Sequence, residues 1–391
     1  MAYRFTEADV AYLRSAAGTD ALAALTLSPA GPLADVVAAK AVAGDRYAAV
    51  LETALLRRRA AAKLADPARW LLAGAALQQA TPTPVAVHRA TRLAGRDVHD
   101  VTCSVGADLV EVAAVAGRCV GSDLDPVRLA MAAGNCAAHG VAPLLVRADA
   151  LRPVTRDTVV LADPARRDDS GRRRWRPGDL VPPLDDLVAA CPGRDLVVKC
   201  APGLDFAAVP WAGEVELVSL DGSVREACLW TGSLATSGIT RRATILRHDR
   251  PQWTITDADP DDCPVRPAGE WLVDPDGAVV RAGLVRHYAA RHGLGQLDPR
   301  IAYLTGDTPP PGVRAFRVVD HGRYGEKTLR AMLRRHDVGA LEILVRGVAV
   351  VPDELRKRLK PAGSVPATVV LTRIGDVPTA FLCHASVTVE Q

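Results

Sequence analysis

Aromatic residues make up only 4% of this 391-residue chain, so a tryptophan beside a polar motif stands out. Lysine is scarce too, at six of the 48 basic residues. Arginine abundance of this kind reflects biased composition, so where arginines cluster says more than how many there are. The eight cysteines are scattered, with no C-x-x-C pair and no zinc spacing, so no metal site is expected. Unpaired thiols behind a start, MAYRFTEADV, that lacks an apolar signal core suit a reducing cytoplasm. No run reaches the ~18 apolar residues of a membrane span, so no membrane partner is expected. The net charge of +3 is too small to point to a partner. Also missing is G-x-G-x-x-G, the loop that brings backbone close to a dinucleotide pyrophosphate, which argues against NAD.

What is present suits more than one domain: 391 residues, 49% hydrophobic and 24% charged, provide ample core. Residues 1–90 read as a helical region. Leu33–Ala65 holds one Gly and no Pro, with apolar residues at helical spacing. At its end stands Leu-Ala-Asp-Pro-Ala-Arg (Leu64–Arg69), a hexapeptide repeated at Leu161–Arg166. In the first copy Asp66 is placed to cap, and Pro67 to open, a helix over ARWLLAGAALQQA.

From Arg96 the texture becomes βαβ. DVHDVTC, RCVGSD, PLLVRAD, TVVLADP and DLVVKC read as buried parallel strands. ADLVEVAAVAG, PVRLAMAAGNCAAHG and PPLDDLVAAC read as the helices between them. VELVSLDGSVREACLW then gives an antiparallel hairpin around Asp-Gly-Ser. Five parallel strands plus a hairpin is an α/β, Rossmann-like sheet resembling that of class I methyltransferases. The polar SLATSGITRR and proline-rich PQWTITDADPDDCPVRPAG mark a boundary. The expected division is a helical region at 1–90, a cofactor-binding domain at 91–235 and a small α+β domain at 240–391.

The first strand runs into DVTCSVGADL, where Asp100 lies four residues before Ser104 and six before Gly106. This resembles the D-x-x-x-G-x-G loop with which class I methyltransferases hold the methionine part of S-adenosylmethionine, with Ser104 and Ala107 in place of glycines. Asp123 ends the second strand, where an acid can accept two ribose hydroxyls, and Asp149 ends the third, where it can take an adenine amino group. Each acid alone reads equally as a helix cap or surface charge; three at successive strand ends read as a cofactor site. Asp125-Pro126 reads as a helix cap.

The second hexapeptide sits at a strand's carboxyl end, the ligand-binding edge of a doubly wound sheet. Asp163-Pro164 resembles the polar half of the (Asn/Asp)-Pro-Pro-aromatic motif of amine methyltransferases, in which a side-chain oxygen and a proline carbonyl accept the amine's hydrogens. Ala165 and Arg166 depart from it. Asp-Pro-x-Arg is also similar to RNA uridine C5-methyltransferases, which use a cysteine after the fifth strand; Cys200 stands there, with burial as its other reading. Lys199 beside it can meet a substrate phosphate or pair with an acid. Arg166–Arg176 holds six Arg and two Asp around Trp175, so Arg172, Arg173, Arg174 and Trp175 suit a phosphate backbone and a stacked base, or form a solvated loop.

Taken together, LQQATPTPVAVHRA, DVTCSVGADL, GSDLDPVRLAMA, LADPARR, VKCAPGLD, GLVRHYAARHGLGQLDPRIAYLTGD and LEILVRGVAVVPDELRKRL resemble the bacterial, actinobacterial-type class I methyltransferases that carry a C-terminal THUMP-like domain. The resemblance implies an S-adenosylmethionine-dependent enzyme whose THUMP-like module binds RNA, and it places Gln78 and Gln79 near the cofactor, although a helix-surface amide pair is the plainer reading. Residues 326–360 carry nine Lys/Arg against five Asp/Glu, and Lys327, Arg330 and Arg334 share one helix face. The leading expectation is methylation of a base nitrogen in tRNA or rRNA. Methylation of a small molecule or protein, and a non-catalytic RNA-binding protein with an eroded cofactor pocket, are the alternatives.

Overall fold

Helices fill the first ninety residues because alanine-rich, proline-poor sequence with polar caps favours them. They are α1 (Glu7–Leu13), α2 (Ala16–Ala24), α3 (Pro32–Ala43), α4 (Tyr47–Ala60), α5 (Gly74–Gln79) and α6 (Thr83–Thr91). Thr6 and Asp9 form a reciprocal capping box on α1, and Ser15 caps α2. The computed structural model describes residues 3–28, 31–165, 177–385 and 387–388. Contacts divide the chain into two units: 1–220, 225–237 and 248–250 in one; 221–224, 238–247 and 251–391 in the other.

In the first unit the strands are β1 (Val98–Asp100), β2 (Cys119–Asp123), β3 (Leu144–Arg147), β4 (Val159–Ala162), β5 (Leu196–Cys200), β6 (Glu214–Leu220) and β7 (Ser223–Trp230). The helices between them are α7 (Ala107–Ala113), α8 (Pro126–Ala138) and α9 (Leu184–Ala190). Strands lie in the order β3-β2-β1-β4-β5-β7-β6. The first five are parallel, and β7 returns antiparallel to β5. Strand order reverses between β1 and β4, so their carboxyl ends flank the crevice where such sheets bind ligands. This is the class I methyltransferase fold.

The N-terminal helices share the first unit's core. Leu56, Trp70, Leu71 and Leu72 cluster with Leu109 and Met131 of the sheet's flanking helices. Asn135 ties the layers by accepting from the Leu71 N–H (2.7 Å) and donating to the carbonyls of Leu71 and Val105. The expected helix after Asp66 is not continuous. Asp66 adopts a left-handed conformation (φ 47°) and makes no side-chain cap; Pro67–Arg69 form one 3-10 turn, and the chain runs extended before α5. Trp70 explains the break. Its side chain is buried and its indole N–H reaches back to the Ala65 carbonyl (2.9 Å), a contact a straight helix does not allow.

The second unit contains β8 (Arg241–Leu246) paired antiparallel with β9 (Trp253–Thr256). There follow β10 (Trp271–Asp274), α10 (Gly277–Ala282), α11 (Val285–Arg291), β11 (Gly295–Gln296), β12 (Leu304–Gly306) and β13 (Arg314–Arg323). The last stretch is α12 (Glu326–Arg335), β14 (Val338–Val345), α13 (Pro352–Leu359), β15 (Val365–Ile374), β16 (Val377–His384) and β17 (Val387–Thr388). The sheet order is β11-β12-β10-β13-β16-β15-β14, with β17 on β13. β14 and β15 are parallel, as the crossover helix α13 requires. Leu329, Met332 and Leu333 of α12 and Leu355 and Leu359 of α13 pack on β14–β16.

Candidate functional site

A cavity of about 920 Å³ opens at the carboxyl ends of β1–β5. Of the residues expected to hold a cofactor, Asp100, Ser104, Asp123 and Asp149 all line it. Gly106 does not; it starts α7 at φ 88°, a left-handed turn that glycine makes without strain. Ser104 is also left-handed (φ 50°), where the related loop has glycine. Its N–H donates to Asp123 Oδ2 (3.0 Å), which closes the loop onto the end of β2. Asp123 Oδ1 accepts from the Asp125 N–H (2.9 Å), and Asp149 Oδ1 accepts from the Leu151 N–H (2.9 Å). Asp125 caps α8 through the N–H groups of Val127 and Arg128, as its sequence predicts. Gln78 and Gln79, exposed at the end of α5 as a surface amide pair would be, also line the cavity.

Asp163 follows β4 and lines the same cavity. Its backbone N–H donates to the Thr102 hydroxyl (2.7 Å), and the Thr102 N–H donates to Asp100 Oδ1 (3.1 Å). One threonine therefore links the loop after β1 to the loop after β4. Pro164 is buried and does not line the cavity, unlike Asp163 and Ala165 on either side of it, so the expected acceptor role of its carbonyl gains no support. Arg166, Arg172, Arg173, Arg174 and Trp175 lie outside the described residues. Cys200 is 1% exposed and does not line the cavity, so it is not placed as the nucleophile of the carbon-methylating route.

Lys199 is buried at the end of β5. Its Nζ donates to Asp163 Oδ2 (2.7 Å) and to Asp108 Oδ2 (2.6 Å), so of its two expected roles the structure has the acid-pairing one, twice over. Sequence reading missed Asp108, in the first turn of α7. It also missed Arg89 on α6, which pairs with both Asp108 and Glu226 of β7, and Thr81, whose hydroxyl donates to Asp108 (3.0 Å). Burial opposes the charge of Asp108, but Arg89 and Lys199 outweigh it and hold this carboxyl well below the usual range. Burial likewise opposes the Lys199 charge, and Asp108 and Asp163 reverse that and raise its pKa. Among the described residues no cation pairs with Asp100; burial, then the nearby Asp108, push it up to about 8.

A second ionic group backs the sheet. Arg92 binds Glu214 and Glu216 (2.8 and 2.9 Å) and stacks over Trp230, whose indole N–H donates to Glu216. No group of three or more metal-ligating side chains occurs among the described residues, and no helix among them is long and apolar enough to cross a membrane.

In the second unit Lys327 and Arg334 are exposed on α12, opposite Leu329, Met332 and Leu333. Arg330, between them, donates to the Arg358 carbonyl (3.0 Å). The neighbouring cations are neutralised: Arg335 pairs with Asp320 (3.1 Å) and Arg358 with Glu326 (2.9 Å).

Comparison with known proteins gives these arrangements relatives. Residues 313–385 match the THUMP domain-like family, and residues 6–60 match a domain family of unknown function. Two proteins from strains of Mycobacterium tuberculosis, each described as an uncharacterized S-adenosylmethionine-dependent methyltransferase, are 56% identical over 356 residues, covering 88% of this chain and 98% of theirs. A crystal structure from Porphyromonas gingivalis W83, described as a methyltransferase, superposes with a TM-score of 0.68 at 18% identity, covering 98% of this chain and 99% of that one.

Proposed function

We propose, because this chain belongs to the S-adenosylmethionine-dependent methyltransferases, that it methylates a base nitrogen of tRNA or rRNA. The donor set fits the cofactor: Asp100, Asp123 and Asp149 stand at three successive strand ends around one cavity. Asp100 lies beside the loop suited to a methionine moiety, Asp123 would take the ribose hydroxyls, and Asp149 the adenine amine. The carboxylate oxygens of Asp123 and Asp149 that already accept one N–H keep a second lone pair for a ligand. S-adenosylmethionine supplies, when bound, an electrophilic methyl group on a cationic sulfur.

The observation that carries the acceptor role is the setting of Asp163. Thr102 fixes its backbone, Lys199 fixes Oδ2, and the residue faces the cavity of the strand-end acids. Oδ1 of Asp163 is the acceptor for an amine's hydrogen, which turns the nitrogen lone pair into the cavity. Much of the rate then comes from alignment, because a pre-oriented pair of reactants avoids the entropy of meeting. The RNA assignment is supported by the THUMP-like match and by the α12 face of Lys327, Arg330 and Arg334. Arg166, Arg172–Arg174 and Trp175 would hold the polynucleotide near the acceptor.

The test is a comparison of modified nucleosides in tRNA and rRNA from a deletion strain and its parent by mass spectrometry. Loss of one methylated base, restored by incubating deletion-strain RNA with the purified chain and cofactor, is expected. Identical nucleoside profiles would overturn the RNA assignment.

A further inference from the structure

Lys199 is the one buried lysine of the chain's six, with a side chain only 2% exposed. An ammonium at such depth is stable only when paired, and here it is paired on both sides. Asp108 approaches from α7 at 2.6 Å, and Asp163 from the end of β4 at 2.7 Å. Behind Asp108 stands Arg89 of α6, which itself reaches Glu226 of β7. The residues form one line: Glu226, Arg89, Asp108, Lys199, Asp163. It holds three carboxylates and two cations, and its exposed end is Asp163, whose side chain is 26% exposed. Beside it lies a further buried carboxyl, Asp100.

A phosphate that sought Lys199 would have to displace one of two close carboxylates. It would also stand against the carboxylates of Asp108 and Asp163 at low dielectric, where like charges repel strongly. Among the described residues the other cation of the lining is Arg128 of α8, which pairs with Asp125, the cap of that helix (3.6 Å). An acceptor nitrogen with N–H groups to give meets the opposite situation: Asp163 offers an oxygen held in place from behind.

Resting on the acceptor role given to Asp163, we propose that Lys199 is a positioning residue, not a substrate contact. The acceptor end that it braces admits an uncharged N–H-bearing acceptor and turns away phosphate. Asp108 and Arg89 act at one and two removes, fixing Lys199 as Lys199 fixes Asp163. The polynucleotide's phosphates are then bound outside this end of the cavity.

Only six lysines in the chain make the proposal open to direct observation. In the full chain labelled with 15N-lysine, an ammonium clasped by two carboxylates exchanges its protons slowly and gives a sharp NMR correlation, whereas solvated ammonium groups exchange away. One persistent resonance is expected. It should shift in Asp163→Asn and in Asp108→Asn, and stay in place on titration with inorganic phosphate or with RNA from the deletion strain. Should Asp108→Asn fail to fold, Asp163→Asn, at the more exposed end of the line, carries the test. Six lysines exchanging alike, or a Lys199 resonance displaced by phosphate, would overturn the proposal. The functional reading fails separately: a chain that keeps the clasped resonance but methylates no RNA retains the brace and loses the acceptor assignment.

Discussion

At Leu64 the hexapeptide Leu-Ala-Asp-Pro-Ala-Arg follows a helix, and at Leu161 it begins within a strand, its Leu-Ala ending β4. Both leucines are buried, at 3% and 1% exposure, and beyond them the copies diverge. Asp66 is exposed, turns left-handed and contributes through its backbone, whose carbonyl accepts from the Arg69 N–H (2.9 Å). Asp163 is half-buried just past the end of β4, and its N–H and its carboxylate each have a fixed partner, Thr102 and Lys199. The difference teaches that an Asp-Pro pair has no role of its own. After a helix it makes a turn; at the carboxyl edge of a parallel sheet, where neighbouring strand ends supply a threonine and a lysine, it becomes a held carboxylate.

That contrast can be broken at several depths. The largest effect is expected from Asp108→Ala, which strands Arg89 and Lys199 without a shared anion. Breaking a buried pair from one side costs about 3–5 kcal/mol, readable as a drop in urea midpoint. Asp100→Asn comes next, through pH. The folded-state pKa of Asp100 is about 8 against an ordinary 3.8, so between those values the folded chain keeps a proton that the unfolded chain has lost. Stability therefore falls as pH rises through that window, with a slope on the order of 1 kcal/mol per unit, and Asp100→Asn should flatten it. A wild-type slope unchanged in the variant contradicts the assignment. The smallest effect belongs to the first hexapeptide. Asp66→Ala should cost about 1 kcal/mol of stability for its left-handed backbone, Asp66→Gly should cost less, and neither should alter methyl transfer. Lost activity in Asp66→Gly would erase the contrast between the copies.

Much of the sheet was legible because strand ends announce themselves: a short stretch that carries apolar residues, then an acid, as at Asp100, Asp123, Asp149 and Asp163. Asp125-Pro126 was legible as a cap because all its partners lie within three residues. Asp66-Pro67 carries the same local signal and took another conformation, since the burial of Trp70 and its bond to Ala65 decide the path there. The line from Glu226 to Asp163 was hidden for a different reason. Arg89 and Asp108 are 19 residues apart, Asp108 and Lys199 91 apart, and nothing in the sequence pairs them before the sheet is assembled. Gln78 and Gln79 reach the cavity because α5 is short and ends at the sheet's carboxyl edge, a placement no periodicity reveals.

The central claim is that the second hexapeptide, and not the first, presents the acceptor-positioning carboxylate. Asp163→Ala tests it, with transfer of labelled methyl groups to deletion-strain RNA measured beside calorimetric binding of S-adenosylhomocysteine, the demethylated cofactor. The account predicts a loss of transfer of at least ~10²-fold, the scale of a misplaced reactant, with cofactor-product affinity as in the unaltered chain. Methyl transfer retained at the parent rate in Asp163→Ala would contradict it.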